Sequence, residues 1–139
     1  MSPLTELTVE HATDFRDLSL GGKAARLRQL QAAGFRVPEF VVSPDDVTAA
    51  VDQLGTPLAV RSSASVEAGT NVSFAGQFES FLNLQTLEDI EEAIRRCHAS
   101  ITAPSVLNYC RKHGIDASQI RMNVILQRMI DPELAGVAF

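Results

Sequence analysis

Apolar residues recur at every third or fourth position in several stretches of the chain and gather into short runs between them, so helices and brief strands are expected to alternate. Ala24, Leu27, Leu30 and Ala33 mark one face of a helix over about residues 23–33, and Gly34 is a left-handed stop for it. Phe40-Val41-Val42 reads as a short buried strand. Ser43 as N-cap, Pro44 at the first helical position and two acids after it then predict a second helix over about 45–54, closed by Gly55. Leu58-Ala59-Val60 is a strand that runs directly into Arg61-Ser62-Ser63, and residues 64–77 read as a long loop of small, polar and glycine residues. Strand character returns at Phe81–Leu84. Thr86 with Asp89 forms a capping pattern ahead of Leu87, Ile90, Ile94, Cys97 and Ile101, which fall at helical spacing. Pro104 opens a fourth helix with Val106, Leu107 and Cys110 inward and Gly114 as its stop. Residues 122–129 form the strongest strand pattern, and Gly136–Phe139 is expected to begin another. Residues 1–20 lack a clean period and read as an irregular lead-in with room for one short strand.

This order lacks the regular strand, loop, helix rhythm of a doubly wound parallel sheet, so the expected class is α+β, a sandwich of sheet and helices. An end inside an apolar strand would leave a carboxylate to hydrate and an open edge, so the 139-residue chain is expected to be a fragment. Such an edge would also permit a homodimer.

Composition narrows the function classes. The chain is 45% hydrophobic and 21% charged with a net charge of −5, a globular profile without the positive field that draws nucleic acid or an anionic membrane. No apolar run approaches the roughly 18 residues of a bilayer span, and Met1–Glu10 has no basic leader region, so a cytoplasmic location is expected. Cys97 and Cys110 fall on apolar helical positions and read as reduced core thiols. His11, His98 and His113 share no metal-site or catalytic spacing, and no metal site is assigned.

Four stretches could carry chemistry. Gly21-Gly22-Lys23 starts the first helix, where free N–H groups, close backbone approach and a lysine suit an anion such as phosphate; a tight turn with a solvated lysine fits the tripeptide as well. It is not a P-loop, because Asp17 stands where that pattern needs glycine and Ala24 where it needs Ser or Thr. Arg61 leaves a buried strand and must be paired, either with phosphate oxygens or with a structural carboxylate. Ser73-Phe74-Ala75-Gly76-Gln77 could turn backbone N–H groups toward a polyanion while Phe74 anchors the loop, or could be a plain surface loop. Ile125–Ile130 could leave main-chain groups free beside Met and Ile walls that suit adenine, or could be core.

Taken together, Gly-Gly-Lys-Ala-Ala-Arg-Leu with Gly34-Phe35-Arg36-Val37-Pro38, Ala59-Val60-Arg61-Ser62-Ser63-Ala64, Ser73–Asn83, and Leu126-Gln127-Arg128-Met129-Ile130 with Ala135–Phe139 closely resemble the N-terminal nucleotide-binding domain of the phosphoenolpyruvate synthase and pyruvate phosphate dikinase family. The resemblance spans about residues 18–139. It implies the first part of an ATP-grasp fold that binds ATP, with Lys23 and Arg61 on the phosphates as the catalytic cations. It places Ser73, Ala75 and Gly76 in the phosphate-covering loop and Gln127, Met129 and Ile130 beside the adenine. It further implies a parent phosphotransferase with phosphohistidine and acceptor-binding domains, in which phosphate passes from ATP through a histidine to pyruvate or, as in the related rifampin phosphotransferases and glucan dikinases, another acceptor. Two features depart from the family. Lys23 and Arg61 stand 38 positions apart, where members usually carry a longer helical insertion. The family's magnesium-binding acids lie beyond the Gly-Val-Ala-Phe strand, so the ligands for Mg are expected past this chain, which alone is expected to be catalytically incomplete. A noncatalytic module that senses a nucleotide or docks a partner is the alternative.

Overall fold

The computed structural model describes residues 20–66, 74 and 76–138. Among them, four strands form one antiparallel sheet in the order β1-β4-β2-β3, with β1 at Phe40–Val42, β2 at Leu58–Val66, β3 at Ser80–Leu84 and β4 at Ile120–Arg128. The helices are α1 (Gly22–Ala32), α2 (Val47–Leu54), α3 (Leu87–Ala99) and α4 (Pro104–His113). The α+β reading holds. The short strand expected in the lead-in lies outside the described residues.

Alternation along β2 and β4 gives the sheet two unlike faces. Leu58 and Val60 of β2 and Val124 and Leu126 of β4 join Ala50, Leu54, Ile90, Ala93 and Cys97 from α2 and α3 in the largest buried cluster. The other face carries a much smaller one, in which Ile125 of β4 and Phe40 of β1 meet Ala24 of α1. Arg61, Ser63 and Gln127 occupy the odd positions that share the Ile125 side, where Arg61 pairs with Ile125 and Ser63 with Asn123 across the β2–β4 ladder. A third cluster, Val106, Cys110 and Ile120, sits under α4.

Local signals explain the helix ends. The Thr86 hydroxyl accepts from the Asp89 N–H at 3.1 Å, and Glu88 and Asp89 favour the positive end of α3. Gly114 ends α4 in the left-handed region at φ 65°. The start of α2 corrects the expected cap. Asp46, not Ser43, accepts from the Ala49 N–H at 3.0 Å, so the helix begins two residues later than predicted. Ser43 is committed elsewhere: its Oγ donates to Asn123 Oδ1 and accepts from the Val124 N–H, which fastens the end of β1 to β4. The α1 stripe is also only half used, because Ala24 is buried whereas Leu30 is 43% exposed and Ala33 is exposed. The helix contacts the sheet through its first turns.

Two further expectations need correction. β2 continues through Val66 rather than turning to loop at residue 64, because β4 pairs with it along its whole length. Residues 136–138 form no strand and pair with none among the described residues, with Val137 exposed and Leu134 93% exposed; Phe139 lies outside the description. An apolar run becomes a strand only when a ladder partner takes its N–H and C=O groups. Both cysteines are free and buried, as expected, and burial pushes both thiols up.

Leu126→Ala removes a fully buried side chain from the main core and is expected to lower stability by about 2–5 kcal/mol in urea unfolding, while Leu134→Ala should change it by no more than about 0.5 kcal/mol. Equal losses from the two would contradict the location of the core.

Candidate functional site

The β2–β4 pairing sets Arg61 diagonally across from Gln127, because Arg61 is opposite Ile125 and Gln127 lies two positions further along β4. One terminal nitrogen of the guanidinium donates to Gln127 Oε1 at 2.8 Å. Gln127 is itself 7% exposed, and its Nε2 donates to the Pro38 carbonyl at 3.1 Å just before β1. Both ends of the amide are therefore engaged. An amide orients arginine without cancelling its charge, as a carboxylate would, and the half-buried guanidinium keeps further N–H donors for a ligand. Among the described residues, no carboxylate forms a salt bridge with Arg61 or Lys23.

Lys23 reaches this face through the docking of α1. Gly21 packs directly on Ser63 at a left-handed φ of 82°, and a Cβ there would lie 2.7 Å from both the carbonyl carbon and oxygen of Ser63. The Ser63 hydroxyl donates to the Leu20 carbonyl at 2.7 Å and accepts from the Ala24 N–H at 3.2 Å. Lys23 is thus held in the first turn of α1, against β2. Burial pushes its ammonium below the ordinary lysine value, and the Arg61 charge pushes it the same way; the field of Cys97 acts in the opposite direction. The helix adds to the mismatch, since its first turn contains no acid and the positive end of the helix dipole disfavours a cation. The two charges therefore act on one another, and among the described residues neither forms a salt bridge with a carboxylate. A polyanion would relieve the repulsion, the desolvation and the dipole mismatch together.

The remaining candidates are distributed differently. Ser73 and Ala75 lie outside the described residues, as does His11. Gly76 is exposed at φ 75°, in a turn closed by the Gln77 N–H donating to the Phe74 carbonyl at 3.0 Å. Phe74 does anchor this turn: it packs in the cluster under α4, with ring centroids 5.6 Å from Phe78 and 5.7 Å from Tyr109. Main-chain donors at the end of β4 are not free as expected. The Arg128 N–H donates to Glu39 and the Met129 N–H to Pro57, because β4 lies between β1 and β2 and both neighbours use its end. Met129 is half-buried and Ile130 is 61% exposed, so they form an open apolar edge rather than a closed slot. Arg128 turns to the opposite face and caps α2, its Nε donating to the Leu54 carbonyl at 2.8 Å. His98 and His113 are exposed on helices, and His113 stacks on Tyr109. Among the described residues, no group of three or more His, Cys, Asp or Glu side chains is placed to hold a metal ion, and no helix is long and apolar enough to cross a membrane.

A cleft of about 290 Å³ opens on the α3 side of the sheet, lined by residues including Ser62, Glu79, Phe81, Arg96 and Cys97. Its charged groups already have partners. Arg96 lies 3.6 Å from Glu79 and stacks over Phe81 at 4.8 Å. Ser62 donates to the Glu79 carbonyl. The sequence motifs give Gly21 close approach to an anion, whereas in the structure it approaches Ser63, to which they give no role; the signal for Ser63 is that residues 61 and 63 of one strand share a face.

The chain matches the family model described as pyruvate phosphate dikinase, AMP/ATP-binding domain, over residues 44–139. It is 36% identical over 119 residues to a rifampicin phosphotransferase of Streptomyces sviceus, an alignment covering 81% of this chain and 14% of the relative. A rifampicin phosphotransferase of Bacillus subtilis is 37% identical over 142 residues, covering 98% of this chain and 15% of the relative. A probable phosphoenolpyruvate synthase of Methanothermobacter thermautotrophicus is 40% identical over 82 residues, covering 59% and 12%. The chain therefore spans about a seventh of the length of these relatives. Arg61 and Gln127 fall within the residues matched by the family model, and Lys23 falls ahead of them.

Because Lys23 has a lower pKa folded than unfolded, the unfolded chain holds more proton in the window between the two values, and the Lys23 contribution to stability rises with pH through it. Arg61→Ala removes the repulsive neighbour and should raise the Lys23 pKa toward the ordinary value, measured by NMR titration of the lysine side chain. An unchanged or lower value would show that the two charges do not share a site.

Proposed function

The chain belongs to the pyruvate phosphate dikinase AMP/ATP-binding domain family, and from that premise we propose that it supplies the phosphate grip of an ATP-dependent phosphotransferase, with Lys23 and Arg61 on the triphosphate. The observation that carries this reading is the uncompensated pair. Two cations are kept on one sheet face, oriented by neutral groups and without a carboxylate partner among the described residues.

In this reading Arg61 is the catalytic cation. Its guanidinium is fixed by Gln127 before any ligand arrives, so little reorganisation is needed as charge develops on a transferring phosphoryl group. Lys23 adds a point charge from the first turn of α1, whose helix dipole favours the same anion. Gly76, in its turn after Phe74, would help to cover the phosphates, a role this reading also assigns to Ser73 and Ala75. The open edge formed by Met129 and Ile130 supports adenine by apolar contact, while the Gln127 amide serves Arg61. In this reading the chain would form the first part of an ATP-grasp domain, which the α+β architecture supports. Magnesium would neutralise the polyphosphate, but the described residues offer no ligand set for it and no step is assigned to it here. Transfer through a phosphohistidine to pyruvate, rifampicin or another acceptor would be the work of the whole phosphotransferase; the relatives are named a rifampicin phosphotransferase and a probable phosphoenolpyruvate synthase.

Isothermal titration with ATP should give measurable binding to the chain, weakened about tenfold or more by Arg61→Ala, since a hydrogen bond to a charged group contributes about 1.5–3 kcal/mol. Lys23→Ala should weaken it several-fold. Affinity unchanged by either substitution would overturn the reading.

A further inference from the structure

Gly21 occupies the N-cap position of α1 and has no side chain with which to cap it. The oxygen that ordinarily comes from a Ser, Thr, Asp or Asn at that position comes instead from β2: Ser63 Oγ accepts the Ala24 N–H, the third of the helix. The same hydroxyl donates to the Leu20 carbonyl on the other side of the turn. Ser63 is 1% exposed, so neither bond is readily replaced by water. Its backbone meets Gly21 so closely that any side chain there would separate α1 from β2. One residue thus holds the turn from both sides. Lys23 lies between the two bonded residues, and Arg61 lies two positions before Ser63 on the same face of the same strand.

We propose that Ser63 is a positioning residue for phosphate binding, fixing Lys23 in register with Arg61 by a cap supplied across the fold. A cap within the loop would stabilise α1 equally well but would not tie its first turn to β2 by a hydrogen bond. Supplied from β2, the cap makes helix stability and cation spacing depend on one hydroxyl. This rests on the assignment of Lys23 and Arg61 to the triphosphate.

The test is a double-mutant cycle on the affinity of the chain for ATP and for inorganic tripolyphosphate, with thermal unfolding recorded for every variant. Ser63→Ala should weaken both ligands several-fold, by no more than Lys23→Ala does, in the wild-type background and by less than twofold in the Lys23→Ala background, because with Lys23 gone there is no cation left for the cap to position. Arg61→Ala should weaken binding in either background. A Ser63→Ala effect that persists undiminished without Lys23 would overturn the positioning role, as would an unchanged affinity in Ser63→Ala. Should Ser63→Ala fail to fold, Ser63→Cys, which keeps the size and weakens both bonds, takes its place in the same cycle with the same criteria. Lys23→Ala and Arg61→Ala both binding tripolyphosphate like the wild type would instead refute the underlying assignment, so the two failures are distinguishable.

Discussion

The Arg61 charge bears on Lys23, a cation already disfavoured by burial, and among the described residues neither has a carboxylate partner. Like charges in a half-buried setting repel, and each also loses hydration. The protein holds them by neutral means: an amide for Arg61, and a serine and a glycine for the turn that carries Lys23. A carboxylate in either place would have cancelled part of that charge, whereas neutral partners leave it in place.

That arrangement is sustainable because stability is generated elsewhere. The α2 and α3 side of the sheet carries the large apolar cluster, whose Leu58, Val60, Val124 and Leu126 come from the same two strands that bear Arg61 and Gln127 on their reverse. Strand alternation thus separates packing from chemistry residue by residue. Because the β2–β4 ladder fixes both, disturbing the core pairing would disturb the distance between Arg61 and Gln127 as well. The side facing α1 buries only Ala24, Phe40 and Ile125, with Leu20, Leu27, Val37 and Val42 packed against them, and interleaves this small cluster with the polar Arg61, Ser63 and Gln127.

Much of this was legible in the sequence where a signal is local. Thr86 with Asp89, Pro104 and Gly114 marked helix ends correctly, since capping depends on a few neighbouring residues. The resemblance of the motifs led to the family to which the chain belongs. Ser43 was misread because its hydroxyl is drawn to β4, a partner 80 residues away that no local rule reveals. The end of β4 was expected to offer free main-chain groups, but strand order, not strand sequence, determines which edges are open. The motifs point to Arg61 and Lys23 one by one, and the resemblance alone joins them; the Arg61–Gln127 hydrogen bond and the contacts of Ser63 with the turn before α1 emerge only from antiparallel register and the docking of α1.

The most direct test of the account is to follow the side-chain nitrogen signals of Arg61 and Lys23 by NMR while ATP is added to the chain. The account predicts that both move together along one binding curve, while Arg96, in the cleft on the opposite face, stays still. Movement centred on Arg96, with Arg61 and Lys23 unaffected, would place the nucleotide on the wrong side of the sheet and contradict it.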